Sequence, residues 1–324
     1  MASWLIRRVF QALLVVFVMT LLVFVAVNLI GNPVDIMISP NATQAQRLET
    51  IRALGFDLPL WRQYLAFVDN LFHGDIGDSF VFGQPGLHLI AQRLPATLEL
   101  AVSALLLSVL IGIPLGLLAG LYPNRALSQM ILGGSILGFS LPTFWVGLMM
   151  ILVFSVELGW LPAIGRGQTA TVLGTEWAFL TWDGLQHLIL PALNLALYQI
   201  SMVLRLTSAG VRETLHKDFI KFARAKGLTW RRIVWVHVLK NILIPVVTVI
   251  GLSFGGTIAF AVVTETVFSY PGMGKLLIDS INLLDRPVIV AYLMIVVLIF
   301  VTVNLVVDLT YVLLDPRVRL GDRE

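Results

Sequence analysis

Few side chains in this sequence could carry out chemistry, and their spacing argues against an enzyme. The chain has no cysteine, which excludes a thiol nucleophile, a thiolate metal site and a disulfide. Its histidines contain no pair three or four residues apart, the spacing that places two metal ligands on one helix face. A serine hydrolase would need a serine and a histidine facing each other, but the histidines lie outside the predicted membrane helices or at an edge. They are His73, His88, His187, His216 and His237.

A nucleotide-binding loop is also missing from the sequence. Such a loop follows the pattern G-x-x-x-x-G-K-[ST]. Gly274 and Lys275 come nearest to it, but Leu276 follows the lysine and Ser269 stands at the position of the first glycine. Energy from ATP would therefore have to come from another chain.

Composition places most of the chain in lipid. Hydrophobic residues make up 58% of it and charged residues 13%, whereas soluble domains carry about 25% charged residues. The net charge of +3 is concentrated between hydrophobic stretches, which favours membrane orientation over binding of nucleic acid. We expect contact with a lipid bilayer and none with nucleic acid.

Six segments are long and apolar enough to cross a bilayer, which takes about 20 residues. They are 9–31, 96–122, 129–157, 187–208, 241–264 and 287–314. The first is a retained helix rather than a signal peptide, because no small-residue cleavage site follows it. The fourth is partly polar and is expected to pack inside the bundle. Pro142 and Pro191 are candidate kinks, for packing rather than gating.

Lysine and arginine set the predicted orientation. Most of the 22 basic residues fall on one side of the six spans, so the positive-inside rule places both termini in the cytosol. The predicted segments are 1–31 with the first helix, an outer helical segment 32–95, a core 96–314 with five spans and a cytosolic loop 209–240, and a cytosolic tail 315–324. Two more outer segments, 158–186 and 265–286, follow from this topology.

The outer segment 32–95 predicts a small helical cap. One helix is expected to start at Asn41 or Thr43 and to stop at Gly55. A second carries one apolar stripe, formed by Leu60, Tyr64, Phe67, Val68 and Leu71. A glycine-rich loop is predicted over 74–88.

The cytosolic loop contains an unusual basic and aromatic stretch, "DFIKFARAKGLTWRRIVWVHVLKN", at 218–241. On a helix, Lys217, Lys221 and Arg224 share one face. Phe219, Phe222 and Ala223 fall on another. Gly227 can take left-handed dihedrals and end this helix, and a second helix starts at Trp230.

Three interpretations of this helix pair are open. The basic residues could hold it to anionic lipid, at about 1 kcal/mol each, or could simply set topology. Neither needs two helices joined at a glycine, or two phenylalanines on one face. An aromatic and basic helix also suits docking into a groove of another protein.

The same stretch resembles the cytosolic coupling motif of binding-protein-dependent ABC permeases, in the form found in oligopeptide, dipeptide and nickel importers. The generic Glu-Ala-Ala triad of the superfamily falls on 221–223, where Lys221 reverses the sign of the glutamate. Similar stretches cover nearly the whole chain: "GFDLPLWRQYLAFVDNLFHGDIGDS", "RLPATLELAVSALLLSVLIGIPLGLLAG", "ETVFSYPGMGKLL" and "LLDPRVR" at 313–319. The residues that the resemblance assigns to coupling are Asp218, Phe219, Phe222, Ala223, Arg224, Ala225, Lys226, Gly227, Arg232 and His237.

The resemblance implies an all-α integral membrane protein with six transmembrane helices and the type I ABC importer permease fold. It implies a multi-pass permease subunit of the cell inner membrane that is not an enzyme and holds no cofactor. The expected partners are two ATPase subunits that bind ATP and Mg, a second homologous permease and an external solute-binding protein. Dipeptides, oligopeptides, nickel chelates and other small solutes remain possible substrates.

Polar residues on the fourth and fifth spans are candidates for lining the translocation path. They are Asn194, Gln199, Ser201, Ser253, Thr257 and Thr264. Hydrogen bonding between helices, worth about 0.6 kcal/mol per bond, is the alternative role and is favoured over substrate contact. Glu99, Arg205 and Asp308 lie near predicted span ends and are expected to anchor at the interface.

A secondary transporter or channel with a lipid-anchoring loop is the alternative function. It would usually show paired intramembrane charges or broken helices in two corresponding halves, and the sequence shows neither.

Overall fold

The computed structural model describes residues 2–29, 43–53 and 57–314. Their helices, in chain order, are α1 Ala2–Leu29, α2 Gln44–Ala53, α3 Leu60–Phe72, α4 Gly86–Leu121, α5 Ala126–Ser140, α6 Thr143–Glu157, α7 Trp182–Leu215, α8 Asp218–Ala225, α9 Trp230–Val267, α10 Met273–Asn282 and α11 Arg286–Leu314. Two helices contain a π-helical turn, at Ile151–Glu157 in α6 and Ile233–Val238 in α9. Two short antiparallel strands, β1 Ala170–Val172 and β2 Thr175–Trp177, pair with Thr171 opposite Glu176.

The helices account for the predicted membrane spans. Within the described residues, five are long and apolar enough to cross a bilayer, or six if the bent pair α5 and α6 is one span. The predicted 158–186 loop carries the β1–β2 hairpin, which is the departure from an all-α structure. A hairpin of three-residue strands is too short to produce a clear alternating pattern in the sequence.

The third span, predicted over 129–157 with a candidate kink at Pro142, is broken there into two helices. α5 and α6 meet at an angle of 108°. Leu141 is extended, with φ −81° and ψ 138°, and Pro142 follows it. Proline pushes the preceding residue out of the helical region and cannot donate a backbone hydrogen bond, so the helix ends there. Pro191, by contrast, lies inside the unbroken α7.

One compact unit comprises Met1–Pro95 and Gly272–Thr302. The ring of Phe24 meets Tyr64 edge-on at 5.4 Å, and the Tyr64 hydroxyl lies 2.9 Å from Thr20 Oγ1. Phe67 and Leu71 pack in the same unit on a cluster formed by Val23, Val290 and Met294. The predicted stripe on α3 is confirmed for these residues, although Leu60 at the helix start is 66% exposed.

The start of α2 and the loop after α3 agree with the sequence-based predictions. Thr43 Oγ1 accepts from the Gln46 amide at 3.4 Å, and Gln46 Oε1 accepts from the Thr43 amide at 3.0 Å, a reciprocal capping box. Asn41 and Gly55 lie outside the described residues. The predicted loop extends to Pro85, and Asp285 holds it by accepting hydrogen bonds from the Ser79 hydroxyl and the Phe80 amide.

The other unit comprises Ala96–Pro271 and Val303–Glu324, and α7 is its central helix. Of the most apolar part of α7, 61% is buried, as predicted for a partly polar helix inside a bundle. Apolar side chains of α7 pack in this unit on those of α4 and α9.

Glycines bring α4 unusually close to α7. An added Cβ at Gly112, Gly116 or Gly120 would lie 3.2, 2.6 and 2.9 Å from the carbonyl oxygens of Ile200, Leu204 and Ser208. Small residues at a spacing of four allow such an approach of two backbones in membranes. The spacing is visible in the sequence as "GIPLGLLAG", although the close approach was not among the predictions.

Gly116→Ala is expected to destabilise the protein by about 1–3 kcal/mol, because the new methyl group overlaps Leu204 O and Thr207. Gly133→Ala on α5 is the matched control, since no atom lies within 4 Å of its added Cβ. There the same change removes backbone entropy and should stabilise by about 0.5–1 kcal/mol. Thermal unfolding of the two variants in detergent measures the difference, and equal effects would contradict the close approach.

A buried ion pair fixes the connection between α6 and α7. Arg166 Nη2 donates to Glu99 Oε2 at 2.7 Å, and the Glu99 side chain is 0% exposed. The Phe179 amide donates to the other carboxylate oxygen at 2.6 Å. Burial, and then the charge of Glu99, raise the pKa of Tyr270, so its hydroxyl stays protonated and donates to Glu99 at 3.4 Å. The expectation that Glu99 anchors at the interface is wrong, because this carboxylate is enclosed by partners from distant parts of the chain.

Candidate coupling surface and translocation path

α8 is an amphipathic helix anchored by its inner face. Ile220 is 0% exposed and Ala223 5% exposed, and both join a cluster with Val211, Ile233 and Val238 from the neighbouring helices. A spacing of three residues puts Ile220 and Ala223 on the same side of the helix. The cluster therefore docks α8 on the ends of α7 and α9.

The outer face of α8 carries the two phenylalanines. Phe219 is 39% exposed and Phe222 61% exposed. The sequence grouping of Ala223 with these two rings is wrong, because Ala223 pairs instead with Ile220 on the inner face. Ala225 and Asp218 are exposed as well.

Gly227 ends α8 as predicted. Its φ is +77°, a conformation that disfavours residues with a side chain. The Gly227 amide donates to Arg224 O at 2.9 Å and the Leu228 amide to Ala223 O at 3.2 Å. These two bonds form a Schellman motif. Leu228 also packs on the cluster that contains Ala223, which sets the exit direction of the chain.

Charged side chains on α8 lie against neighbours that fix their positions. Lys221 Nζ donates to Asp218 at 2.9 Å, and this bond, with the lysine's charge, holds the pKa of Asp218 below its ordinary value. The Arg224 guanidinium lies 4.9 Å from the centre of the Trp230 ring, and Lys226 Nζ lies 4.5 Å from that of Phe222. Such cation–π contacts contribute about 0.5–1 kcal/mol each at exposed sites. Trp230, 40% exposed, was not among the predicted site residues.

The last two predicted coupling residues belong to the start of α9. Arg232 is exposed, and His237 is half-buried within the π-helical turn. The His237 carbonyl accepts from Asn241 Nδ2 at 2.6 Å. π-helical turns occur often at functional sites, and no sequence pattern identified this one.

Gly227→Pro is expected to uncouple ATP hydrolysis from uptake while leaving membrane insertion intact. Proline fixes φ near about −65° and removes the amide that donates to Arg224 O, so the observed turn cannot form. Gly227→Ala retains that amide and adds only strain, about 1–2 kcal/mol, so its effect should be smaller. Uptake and ATPase activity of the reconstituted importer measure both, and normal uptake by Gly227→Pro would contradict the prediction.

The predicted path residues mostly bond to one another between helices. Asn194 Nδ2 donates to Thr264 Oγ1 at 3.1 Å, and Gln199 Nε2 donates to Ser253 Oγ at 3.2 Å and to Thr257 Oγ1. These bonds tie α7 to α9. They match the alternative role stated for these residues, hydrogen bonding between helices.

Ser201 donates to Leu197 O of its own helix at 2.9 Å. Among the side chains that the structure describes, the carbonyl oxygens Asn194 Oδ1 and Gln199 Oε1 are buried without a hydrogen-bond donor. Contact of these six residues with a substrate stays a prediction. In the described ranges, no group of three or more histidine or acidic side chains could hold a metal ion.

Comparison with known proteins extends over nearly the whole chain. Residues 112–320 match the family described as "Binding-protein-dependent transport system inner membrane component", and residues 1–101 match the corresponding N-terminal family. The chain is 38% identical to the di/tripeptide transport system permease protein DppB of Pseudomonas aeruginosa, covering 98% of this chain and 99% of that protein. It is 41% identical to the probable D,D-dipeptide transport system permease protein DdpB of Escherichia coli, with 98% of both chains covered. The oligopeptide transport system permease protein AppB of Bacillus subtilis is 38% identical, with 98% and 99% covered.

The fold is similar to a solved transporter structure. A chain of the MetNI methionine ABC transporter, in an inward-facing conformation, matches with a TM-score of 0.56 at 16% identity. The match covers 71% of this chain and 98% of that one. At this identity the likeness concerns the fold alone, and it agrees with the fold expected from the sequence.

Proposed function

The chain belongs to the family of binding-protein-dependent transport system inner membrane components, and from this premise we propose that it forms the translocation path of an ATP-driven peptide importer. It is a multi-pass inner-membrane transport subunit. The proposal that the substrates are peptides rests on one observation. Relatives that match over 98% of the chain are permeases for di- and tripeptides, D,D-dipeptides and oligopeptides.

The importer that we propose contains separate ATPase subunits, an external solute-binding protein and a second, homologous permease. ATP and Mg bind to the ATPase subunits, since this sequence has no phosphate loop. Both termini and the loop 209–240 face the cytosol, where the basic residues collect. Segment 32–95 lies outside, 96–314 is the permease core, and 315–324 is a cytosolic tail.

The outer face of α8 is the proposed contact with an ATPase subunit. Three features support this. Phe219 and Phe222 expose apolar area that becomes favourable on burial, at about 25 cal/mol per Å². Arg224 and Lys226 lie on aromatic rings that limit their motion. The buried face around Ile220 attaches the helix firmly enough to pass on a displacement.

The remaining predicted residues take supporting roles in this proposal. Gly227 sets the turn between α8 and α9, and Asp218 stabilises the first turn of α8 through the helix dipole. Arg232 and His237 extend the surface onto α9, Ala225 leaves room for close approach of the partner, and Ala223 helps to anchor the inner face of α8.

Affinity purification of the tagged chain in mild detergent tests the assembly. We expect two ATPase chains and a second multispanning subunit to come with it, and membranes holding this complex to take up a peptide such as tri-alanine only with ATP and the binding protein. Recovery of a homo-oligomer without ATPase would overturn the proposal and favour a secondary transporter or channel.

A further inference from the structure

The break between α5 and α6, which form the sixth span if the bent pair crosses the membrane together, lies among exposed residues. Residues 139–145 are all exposed in this chain. At a helix end the last carbonyl groups lack intrahelical donors, and here the Leu141 amide caps Leu137 O at 3.1 Å. Non-helical backbone at membrane depth is tolerated where protein covers it or where it lines a wet cavity, and not against lipid. We therefore do not expect this break to face lipid.

An aromatic and cationic patch lies beside the break. The rings of Phe139 and Tyr198 stack at 4.9 Å with an angle of 25° between them, and the Arg205 guanidinium lies 6.0 Å from the centre of the Phe139 ring. Phe139 is 48% and Tyr198 45% exposed, and Arg205 is exposed too. Among the described side chains, no carboxylate lies within ion-pair distance of Arg205.

The patch lies away from the Arg125 end of α5. α5 starts at Ala126, next to Arg125, and Phe139 is its next-to-last residue. At 1.5 Å per residue the Phe139 ring is about 20 Å along α5 from Ala126. Gly138 allows α5 to lie this close to α7, because an added Cβ there would lie 2.8 Å from Ser201 Oγ. Arg205 lies ten residues, about 15 Å, before the end of α7 at Leu215.

We propose that the break and the patch form a wet subsite in the translocation path, where Arg205 binds the carboxylate of a passing peptide. The inference rests on the proposed peptide transport and names residues beyond those predicted from sequence. An exposed guanidinium in a span marks a pathway by default, and arginine pairs with carboxylates through two parallel hydrogen bonds. Beside Arg205, the stacked rings of Phe139 and Tyr198 form an apolar surface that can contact peptide side chains of different types.

The absence of cysteine makes the subsite directly measurable. In membranes that contain the assembled importer, Ser140→Cys gives this chain a single thiol at the break. N-ethylmaleimide reacts with the thiolate, which forms in water and not in lipid. Leu110→Cys, at a residue 68% exposed on an apolar face of α4, is the control for a lipid-facing position. We expect labelling of Ser140→Cys and none of Leu110→Cys.

Peptide protection then tests the role of Arg205. Tri-alanine should slow labelling of Ser140→Cys, whereas tri-alanine amide, which has no carboxylate, should not. Adding Arg205→Gln should weaken the protection on the order of tenfold, by loss of a charge-assisted contact. Arg125→Gln, which removes an exposed arginine at the other end of α5, should leave protection unchanged.

Each outcome decides one step. If Ser140→Cys is as inert as Leu110→Cys, the break is covered by lipid or by another subunit and the subsite is wrong. Equal protection by both peptides, or full protection after Arg205→Gln, would overturn carboxylate binding by Arg205. Uptake of tri-alanine by the unmodified importer is measured in parallel, because its absence would reject the proposed function rather than this inference.

Discussion

Replacing Phe222 by alanine is expected to abolish recovery of the ATPase subunits with this chain and to lower ATP-driven uptake more than about tenfold. The ring is 61% exposed on the outer face of α8, so its removal leaves the inner face formed by Ile220 and Ala223 untouched. Aromatic residues that fill a partner's groove typically contribute about 2 kcal/mol or more to binding, roughly a 30-fold change in affinity. The same change removes the cation–π contact between Lys226 and this ring.

Phe260→Ala is the matched control for this experiment. Phe260 is 74% exposed and lies on α9, in the same unit but well away from α8 along the chain. This variant should retain the ATPase subunits and normal uptake. Co-purification of the ATPase subunits with Phe222→Ala at the unmodified level would reject α8 as the contact.

Replacing Arg166 by alanine is expected to destabilise the protein by about 3–5 kcal/mol, because it leaves the carboxylate of Glu99 buried without its countercharge. The same change releases the bond from Arg166 Nη2 to Glu176 O at 2.8 Å, and with it the β1–β2 hairpin. Thermal unfolding in detergent measures the loss, and limited proteolysis should show faster cutting between Leu158 and Thr181.

A double-mutant cycle separates the ion pair from general damage. Glu99→Gln in the Arg166→Ala background removes the unpaired charge, so the double variant should be more stable than Arg166→Ala alone. Arg62→Ala, at an exposed residue of α3, controls for loss of one positive charge. Equal stability of Arg166→Ala and Arg62→Ala would show that the pair contributes little.

Local and repetitive features of this protein could be predicted from its sequence. Long apolar runs mark the membrane spans because burial in lipid needs only length and composition. The end of α8 at Gly227 and the capping box at Thr43 depend on residues within one turn of each other, so the sequence contains all that determines them. The break at Pro142 was visible as a kink, but its angle of 108° depends on what packs around it.

Contacts between distant residues could not be predicted in this way. Glu99 and Arg166 are 67 residues apart, and Glu99 alone looks like an interfacial charge until the fold encloses it. Phe139, Tyr198 and Arg205 meet because α5 crosses α7 at Gly138, a placement that no local pattern encodes. Ile220 was overlooked for a related reason, since an isoleucine among basic and aromatic residues becomes an anchor only when α7 and α9 are beside it.

The glycine contacts between α4 and α7 resist sliding of one helix along the other. Three backbone contacts repeat every four residues, about 6 Å along each helix, so a shorter slide would press bulkier residues of α4 against the backbone of α7. α7 has 34 residues and is about 51 Å long, and α8 packs against one end of it. In the proposed coupling, a displacement of α8 by an ATPase subunit would therefore reach the opposite end of α7 as a change in the angle of the helix pair.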